Sequence, residues 1–360
     1  MPPSPRNPKP PALTTRLLEI AQRLPLFLSQ DRQPFVICPS TATAHPLYSP
    51  SFSDWLLQAA QQHLRLTPAP QQIGRVVSIL DAEARAAGTI KQVHTRTAKI
   101  APRHYQIDLG HPDHSTIEIT GRKWSIGHAR HARHARHPRL ARFHRIATAT
   151  PLPLPQPTIA PLPKYLQLIY GISEVDAHKL AHWLGQALLP DQTPPLLMIT
   201  GKANREAATQ LRTWIDPAFH ALMPLPYNRS NFAQHAVKNR VLAYYIGFGL
   251  SKKKVLDFRE MRRGTHARLR HSNPKFNRLF TTIHRPVIVA AEEKQKICNR
   301  QLTIEINKSH QVAHAEILGP ILDVAVQIVG QPTIHPQPLP ITAQALPHRT
   351  PAAPPHTDTS

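Results

Sequence analysis

The stretch from Pro195 to Pro217 constrains this chain more than any other. Leu196 to Ile199 is an unbroken apolar run ending at Thr200-Gly201, and so short a run suits a strand buried on both faces, as in a parallel sheet. Ala207, Ala208, Leu211 and Ile215 then recur at helical spacing, and Pro217 stops the helix. Strand, glycine turn and helix form the frame of a phosphate-binding loop, where helix N-terminal amides hold an anion. A working loop reads G-x-x-x-x-G-K-[ST], its lysine on the β/γ-phosphates and its hydroxyl on magnesium. Counted from Gly201, the last three of those places hold Glu206, Ala207 and Ala208. The frame predicts a nucleotide site; the groups that would work it are missing.

The elements around this stretch predict an α/β domain over residues 164–330. Tyr165, Leu168 and Ile169, then Ala177, Leu180, Leu184 and Leu188, mark two helices before the central strand. Further strands are expected at Arg240 to Ile246, Val287 to Ala291 and Gln301 to Ile306, with helices at 252–263 and 315–329. Strands separated by helical segments argue for a sheet with both faces covered, in three layers. Upstream, residues 30–127 read as a small α+β domain. It has a strand at Pro34 to Cys38, helices opening at Ser53-Asp54 and spanning 73–87, and strands at 90–97, 104–109, 115–120 and 123–126 in an antiparallel meander. Residues 1–29 make an arm and one amphipathic helix. Residues 128–163 form a basic insert and proline-rich linker, and the tail from 331 to 360 has the composition of a disordered segment.

Charge points to the partner. The chain carries 44 Lys+Arg against 21 Asp+Glu, a formal charge of +23. That excess favours a polyanion, DNA or RNA, over a membrane. Ala-Arg-His occurs three times between Ala129 and His137, and arginines stand at 130, 133, 136, 139, 142 and 145. Arg130, Arg133, Arg136, Arg139, Arg142 and Arg145 can track phosphates without reading bases; Lys252, Lys253 and Lys254 add a second basic cluster. His128, His131, His134 and His137 invite a zinc reading, but no carboxylate or cysteine accompanies them, so no metal is expected. Cys38 and Cys298 stand far apart and imply a reducing, cytoplasmic setting. The N-terminus lacks the apolar core of a signal peptide, and no apolar run reaches the about 20 residues of a membrane span.

Several segments carry a resemblance. Tyr105-Gln106-Ile107-Asp108-Leu109-Gly110, Ile117-Glu118-Ile119-Thr120, Lys123-Trp124 and Ala141-Arg142-Phe143-His144-Arg145 lie in the first half. Ile199-Thr200-Gly201, Trp214-Ile215-Asp216-Pro217, Arg285-Pro286-Val287-Ile288 and Ile317-Leu318-Gly319-Pro320-Ile321-Leu322-Asp323 follow in the second. In that order the chain resembles the ATP-binding proteins of phages and integrative elements, related to viral-type primase-helicase ATPases. The resemblance covers residues 30–345 and implies a P-loop NTPase-like fold, ATP with magnesium, and assembly into a homo-oligomer. It also implies that the phosphate-binding lysine and its neighbouring hydroxyl fall on Ala207 and Ala208, the metal-holding aspartate on Tyr245, and an Asp-Arg pair on Asn299-Arg300.

Phosphoryl transfer depends on a lysine and Mg²⁺ neutralising developing charge. The expectation is therefore a degenerate, non-hydrolysing member that binds nucleic acid without sequence preference and needs no cofactor. Two alternatives stay open. One is an active ATPase with a deviant loop using Lys202 directly after Gly201, with Thr209 and Arg300 as its remaining polar groups. The other is a basic nucleic-acid-binding module with no nucleotide role.

Overall fold

The computed structural model describes residues 12–38, 43–127, 141–145, 150–217, 222–225, 235, 239–246, 267–269, 278–280, 285–294, 296–298 and 300–331. Three helices and a three-stranded antiparallel sheet open the fold: α1 (Leu13–Ala21), β1 (Leu26–Leu28), β2 (Pro34–Ile37), β3 (Ala44–Pro46), α2 (Pro50–Leu64) and α3 (Pro70–Ala87). Leu17 and Ala21 of α1 pack with Phe52, Leu56, Val76 and Leu80, so the first helix belongs to this core. Helix α2 starts a turn earlier than Ser53-Asp54 suggests. Ser49 caps it, its Oγ accepting from the Phe52 amide at 3.3 Å, and Pro50 takes the first helical place, where a missing N–H costs nothing.

The expected strand at 90–97 does not form. Ile90 and His94 make only isolated bridges, and Arg96 turns the chain with φ of 66°. That left-handed turn sends the Arg96 side chain into the protein, where it finds three oxygens. An antiparallel meander follows, β4 (Thr97–Ala101), β5 (His104–Asp108), β6 (Thr116–Thr120) and β7 (Trp124–Gly127), hydrogen-bonded in sequence order.

Helices α4 (Leu162–Tyr170) and α5 (Glu174–Leu188) lead into β8 (Leu196–Thr200) and α6 (Asn204–Ile215). The strands β9 (Met223–Pro224), β10 (Leu242–Ile246), the antiparallel pair β11 (Ala267–Leu269) and β12 (Arg278–Phe280), β13 (Val287–Ala291) and β14 (Gln301–Glu305) come next, and α7 (His314–Gly330) closes the fold. Strands β14-β8-β13-β10-β9 form one sheet, every neighbouring pair parallel. Strand β8 is interior, as its unbroken apolarity requires. On one face Leu197, Ile199, Ala243, Ile288 and Ala290 join residues of α5, α6 and α7 in a common core. On the other, Leu196, Met198, Leu242, Tyr244, Val287 and Val289 gather with Ile297. The helix expected at 252–263, which would supply a third layer, lies outside the described residues.

The main core runs across the boundary expected between residues 127 and 164. Tyr105, Ile107, Leu109, Ile117 and Ile119 of the meander share it with α5, α6 and α7. The proline-rich segment is docked between them: the Leu152 amide donates to Leu109 O at 2.8 Å and the Gln156 amide to Ala315 O at 3.0 Å. Gly319 is needed there, because a Cβ would collide with Gln156 O.

Asp216, 4% exposed, ties these parts together. One oxygen accepts from the Arg240 amide at 2.6 Å and the Val241 amide at 3.3 Å; the other faces Arg96 Nε at 3.4 Å. The remaining Arg96 nitrogens donate to Asp108 O and Thr150 O at 3.2 and 2.7 Å. Removing this carboxylate strands two amides and buried arginines, a loss of about 3–5 kcal/mol. Asp216→Ala should lower the denaturation free energy by that order and Asp216→Asn by less; a loss under about 0.5 kcal/mol in urea titrations would show that the carboxylate ties nothing. His94 adds a pH dependence. Burial first, then Arg285 and Arg142, push its pKa down to about 4. The unfolded chain therefore takes the proton first, so stability is whole above about pH 6.5 and falls as pH drops toward 4. Stability measured across that window should fall less steeply in His94→Gln than in the parent chain; equal slopes would assign the loss to other groups.

Candidate functional site

In an open parallel sheet, ligands bind at the carboxyl ends of the strands. Here that edge is formed by the turn after β8. Only Gly201, Lys202 and Ala203 separate the strand from α6. Gly201 has φ of 97°, and a Cβ on it would lie 2.5 Å from Ile306 O and 2.7 Å from Asn307 Oδ1. Glycine is required twice over, by its backbone and by the close approach of the segment after β14.

That approach closes the turn. The Lys202 amide donates to Asn307 Oδ1 at 3.2 Å, the Ala203 amide to Ile306 O at 3.1 Å, and the Asn204 amide to Gly201 O at 3.3 Å. The amides of Lys202, Ala203 and Asn204 thus already have protein acceptors. The turn is also short: α6 begins three residues after Gly201, so Glu206, Ala207 and Ala208 lie inside the helix. Ala207 and Ala208 are fully buried in the main core, and an ammonium at either place would enter apolar packing. The Lys202 side chain is exposed at the turn. Thr209 lies five residues into α6, about 7 Å along its axis, with its carbonyl accepting from Thr213 Oγ1.

Among the described residues, paired charge lies beside the turn. Arg205 lies with Cζ 5.0 Å from the Tyr245 ring centroid and Nη2 3.6 Å from Glu292. A cation on a ring face thus stands where the resemblance implies a metal-holding aspartate. Glu305, held below its ordinary range by hydrogen bonds from Lys294 and Asn307, lies 3.0 Å from Lys294 Nζ. Asn204 Nδ2 donates to Ala291 O at 2.7 Å. Arg205, Glu292 and Asn307 went unread in the sequence because none sits in a recognisable spacing.

Arg300 stands elsewhere. Gln301 pairs with Leu196 and Glu305 with Thr200, which puts Arg300 at the amino edge, about 16 Å of strand away from Gly201. Its Nη2 donates to Thr193 O at 3.4 Å. Gly201 and Lys202 therefore share one edge with Arg205, while Arg300 is not brought to them.

Of the arginines expected on phosphates, Arg145 is committed inside the protein. Its Nε and Nη2 donate to the two Asp108 oxygens at 2.8 and 2.6 Å and its Nη1 to His111 O at 2.8 Å. A bidentate pair of this kind holds a loop rather than a ligand. Arg142 is half-buried, with Cζ 6.0 Å from the Phe27 ring centroid. Arg130, Arg133, Arg136, Arg139, Lys252, Lys253 and Lys254 lie outside the described residues. Among the described residues no helix is long and apolar enough to cross a membrane.

No family model and no curated protein sequence matches the chain. Among solved structures, an A form apo structure of the NrS-1 C terminal region is 10% identical, with TM-score 0.43, over 89% of this chain and 69% of that one. A second apo structure of the NrS-1 C terminal region, residues 305–718, is 11% identical with TM-score 0.40, over 90% of this chain and 69% of that one.

The closed turn has a direct kinetic consequence. Mg²⁺-dependent ATP hydrolysis should stay at background, with or without DNA, and MgATP should leave the melting temperature unchanged. Turnover that disappears in Lys202→Ala would instead establish a working deviant loop.

Proposed function

We propose that this chain is a non-hydrolysing, helicase-like protein that binds nucleic acid by charge rather than by sequence. The frame is P-loop NTPase-like: the order β14-β8-β13-β10-β9 with a glycine turn at the carboxyl end of an interior strand supports it. The observation that carries the non-hydrolysing half is the occupation of the turn by Ile306 and Asn307, whose oxygens take the amides of Ala203 and Lys202. Fold alone does not confer turnover, so a frame of this kind can serve as scaffold.

The binding half rests on the charge of +23 and on the arginine ribbon from 130 to 142. With Arg145 held by Asp108, five arginines of that spacing are left to meet phosphates, at 130, 133, 136, 139 and 142. Guanidinium groups on backbone oxygens release counterions and give affinity without base readout. A log–log salt slope near about −4 to −5 on duplex DNA follows if five phosphates are neutralised.

A salt titration of the full chain against a variant lacking residues 128–139 tests this. The variant should bind more weakly with a shallower slope. Histidines 128, 131, 134 and 137 should tighten binding of the full chain below about pH 6.5 as they gain charge. Identical affinity and slope in the two proteins would make the repeat a bystander, and salt-independent binding would exclude the electrostatic mechanism.

A further inference from the structure

Residues 141–145 form a strap between the first module and the meander. On the meander side the Ala141 amide donates to Gln106 Oε1 at 3.1 Å, and Arg145 donates to both Asp108 oxygens and to His111 O. On the other side the Ala44 amide, at the start of β3, donates to Phe143 O at 3.0 Å. His94 grips the strap twice. Its amide donates to Arg142 O and its carbonyl accepts from the His144 amide, both at 2.9 Å. Its ring centroid lies 6.3 Å from that of Phe143, which is 7% exposed. Arg142 and His144 rest on the first sheet, with Arg142 Cζ 6.0 Å from the Phe27 centroid and the His144 ring 5.6 Å from Phe35, edge to face. The strap thus lies against the small cluster of Phe27, Phe35, Ile37 and Ala44.

Acid acts differently on its two sides. On the meander side, His114 is lowered by burial and by Arg145, but Asp108 and Asp113 act the other way. On the first-module side the charges acting on His94 are both positive: Arg285 ahead of β13 and Arg142 on the strap itself. Asp31 acts on Arg285. His45, next to Ala44, is lowered by burial and then by Arg145, and Lys91 by burial and then by Arg142. With the strap attached, burial and the two arginines push His94 down to about 4. Detaching the strap takes the ring off Phe143 and away from Arg142, which returns it toward the about 6.5 of a solvated imidazole. The detached form therefore binds the proton more tightly. Attachment is whole above about pH 6.5 and weakens as pH falls toward 4.

We propose that the strap is an acid-released clasp: protonation of His94 detaches Arg142, Phe143 and His144 from the first module, while Arg145 stays on Asp108 as the hinge. Release uncovers the Phe27–Phe35 face and the Arg142 guanidinium, whose Nε is buried while the strap is attached. The clasp is built into the chain and needs neither nucleotide nor polyanion, so it stands or falls separately from the binding proposed above.

Hydrogen exchange of the Ala44, His94 and His144 amides in the full chain, divided by their intrinsic rates, tests this without any ligand. At pH 7.4 these amides should exchange by local opening, being less protected than those of Leu197 to Ile199 in β8 and insensitive to low urea. From pH 7.4 to 5.0 their protection should fall by about fivefold or more, the value for a ring fully returned to water being about 25-fold. His94→Gln should lose most of that fall; His94→Phe keeps a ring on Phe143 and takes its place if the glutamine variant does not fold. Strap amides as protected and as urea-sensitive as those of β8 would show that the strap opens only with the whole chain, and would overturn the clasp. A smaller fall in the parent chain, or a fall as steep in the His94 variants, would overturn it as well.

Discussion

A single buried carboxylate holds the parts of this protein in register. Asp216 ends α6, accepts the amides that lead into β10, and faces the guanidinium that the left-handed turn at Arg96 sends inward. Arg96 then reaches the carbonyl of Asp108 at the end of β5 and that of Thr150 in the docked linker. Helix, sheet, meander and linker meet within one hydrogen-bond network, where low dielectric makes each link strong and each omission costly. The meander's inward residues Tyr105, Ile107 and Ile117 share a core with α5 and α7, and Trp124 Nε1 donating to Asp323 at 2.9 Å adds a second tie.

The same network polarises the sheet. Its carboxyl edge is closed by protein: Asn307 and Ile306 take the amides of the glycine turn, and Arg205 and Lys294 pair with Glu292 and Glu305. Its amino edge draws in Arg240 and Arg285 alongside the Asp216 node, and the acids there are already engaged. Asp216 and Asp191 act there against the charge of Arg240, and Asp216 and Asp31 against that of Arg285. The edge where a nucleotide is expected is thus the one where, among the described residues, the protein's own groups occupy the turn.

Much of the frame was legible because it is written in apolar periodicity. Leu196 to Ile199, Val287 to Ala291 and the helices of 162–188 carry runs that admit one reading each, and they fold where those runs place them. The glycine after β8 was legible as the turn that ends the apolar run, and its φ of 97° is one that glycine adopts without strain. The strand expected at 90–97 failed because Arg96 obeys a partner 120 residues away, a tertiary constraint that no local pattern records. The start of α2 moved because Pro50 and Ser49 form a better first turn than Ser53 and Asp54. Closure of the turn by Asn307 was invisible for a third reason: it depends on β14 lying beside β8, which is topology rather than spacing. The arginines before β10 and β13 stand apart in the sequence, and only strand register makes them neighbours.

The two alanines of α6 show what holds this frame together. Ala207 and Ala208 are completely buried, and their small side chains let α6 pack closely over β8, β10 and β13. The free energy of that packing comes from apolar area and does not depend on any group that touches a phosphate. A lysine at Ala207 would have to leave the core, and a loop long enough to wrap a phosphate would have to displace Asn307 from the Lys202 amide. Substitution and loop length are therefore coupled: neither change alone opens the turn, and the closed form is stabilised by the hydrogen bonds and burial that hold the sheet together. Charge at the protein surface is free of that coupling, since it takes no part in the packing of α6 against the sheet.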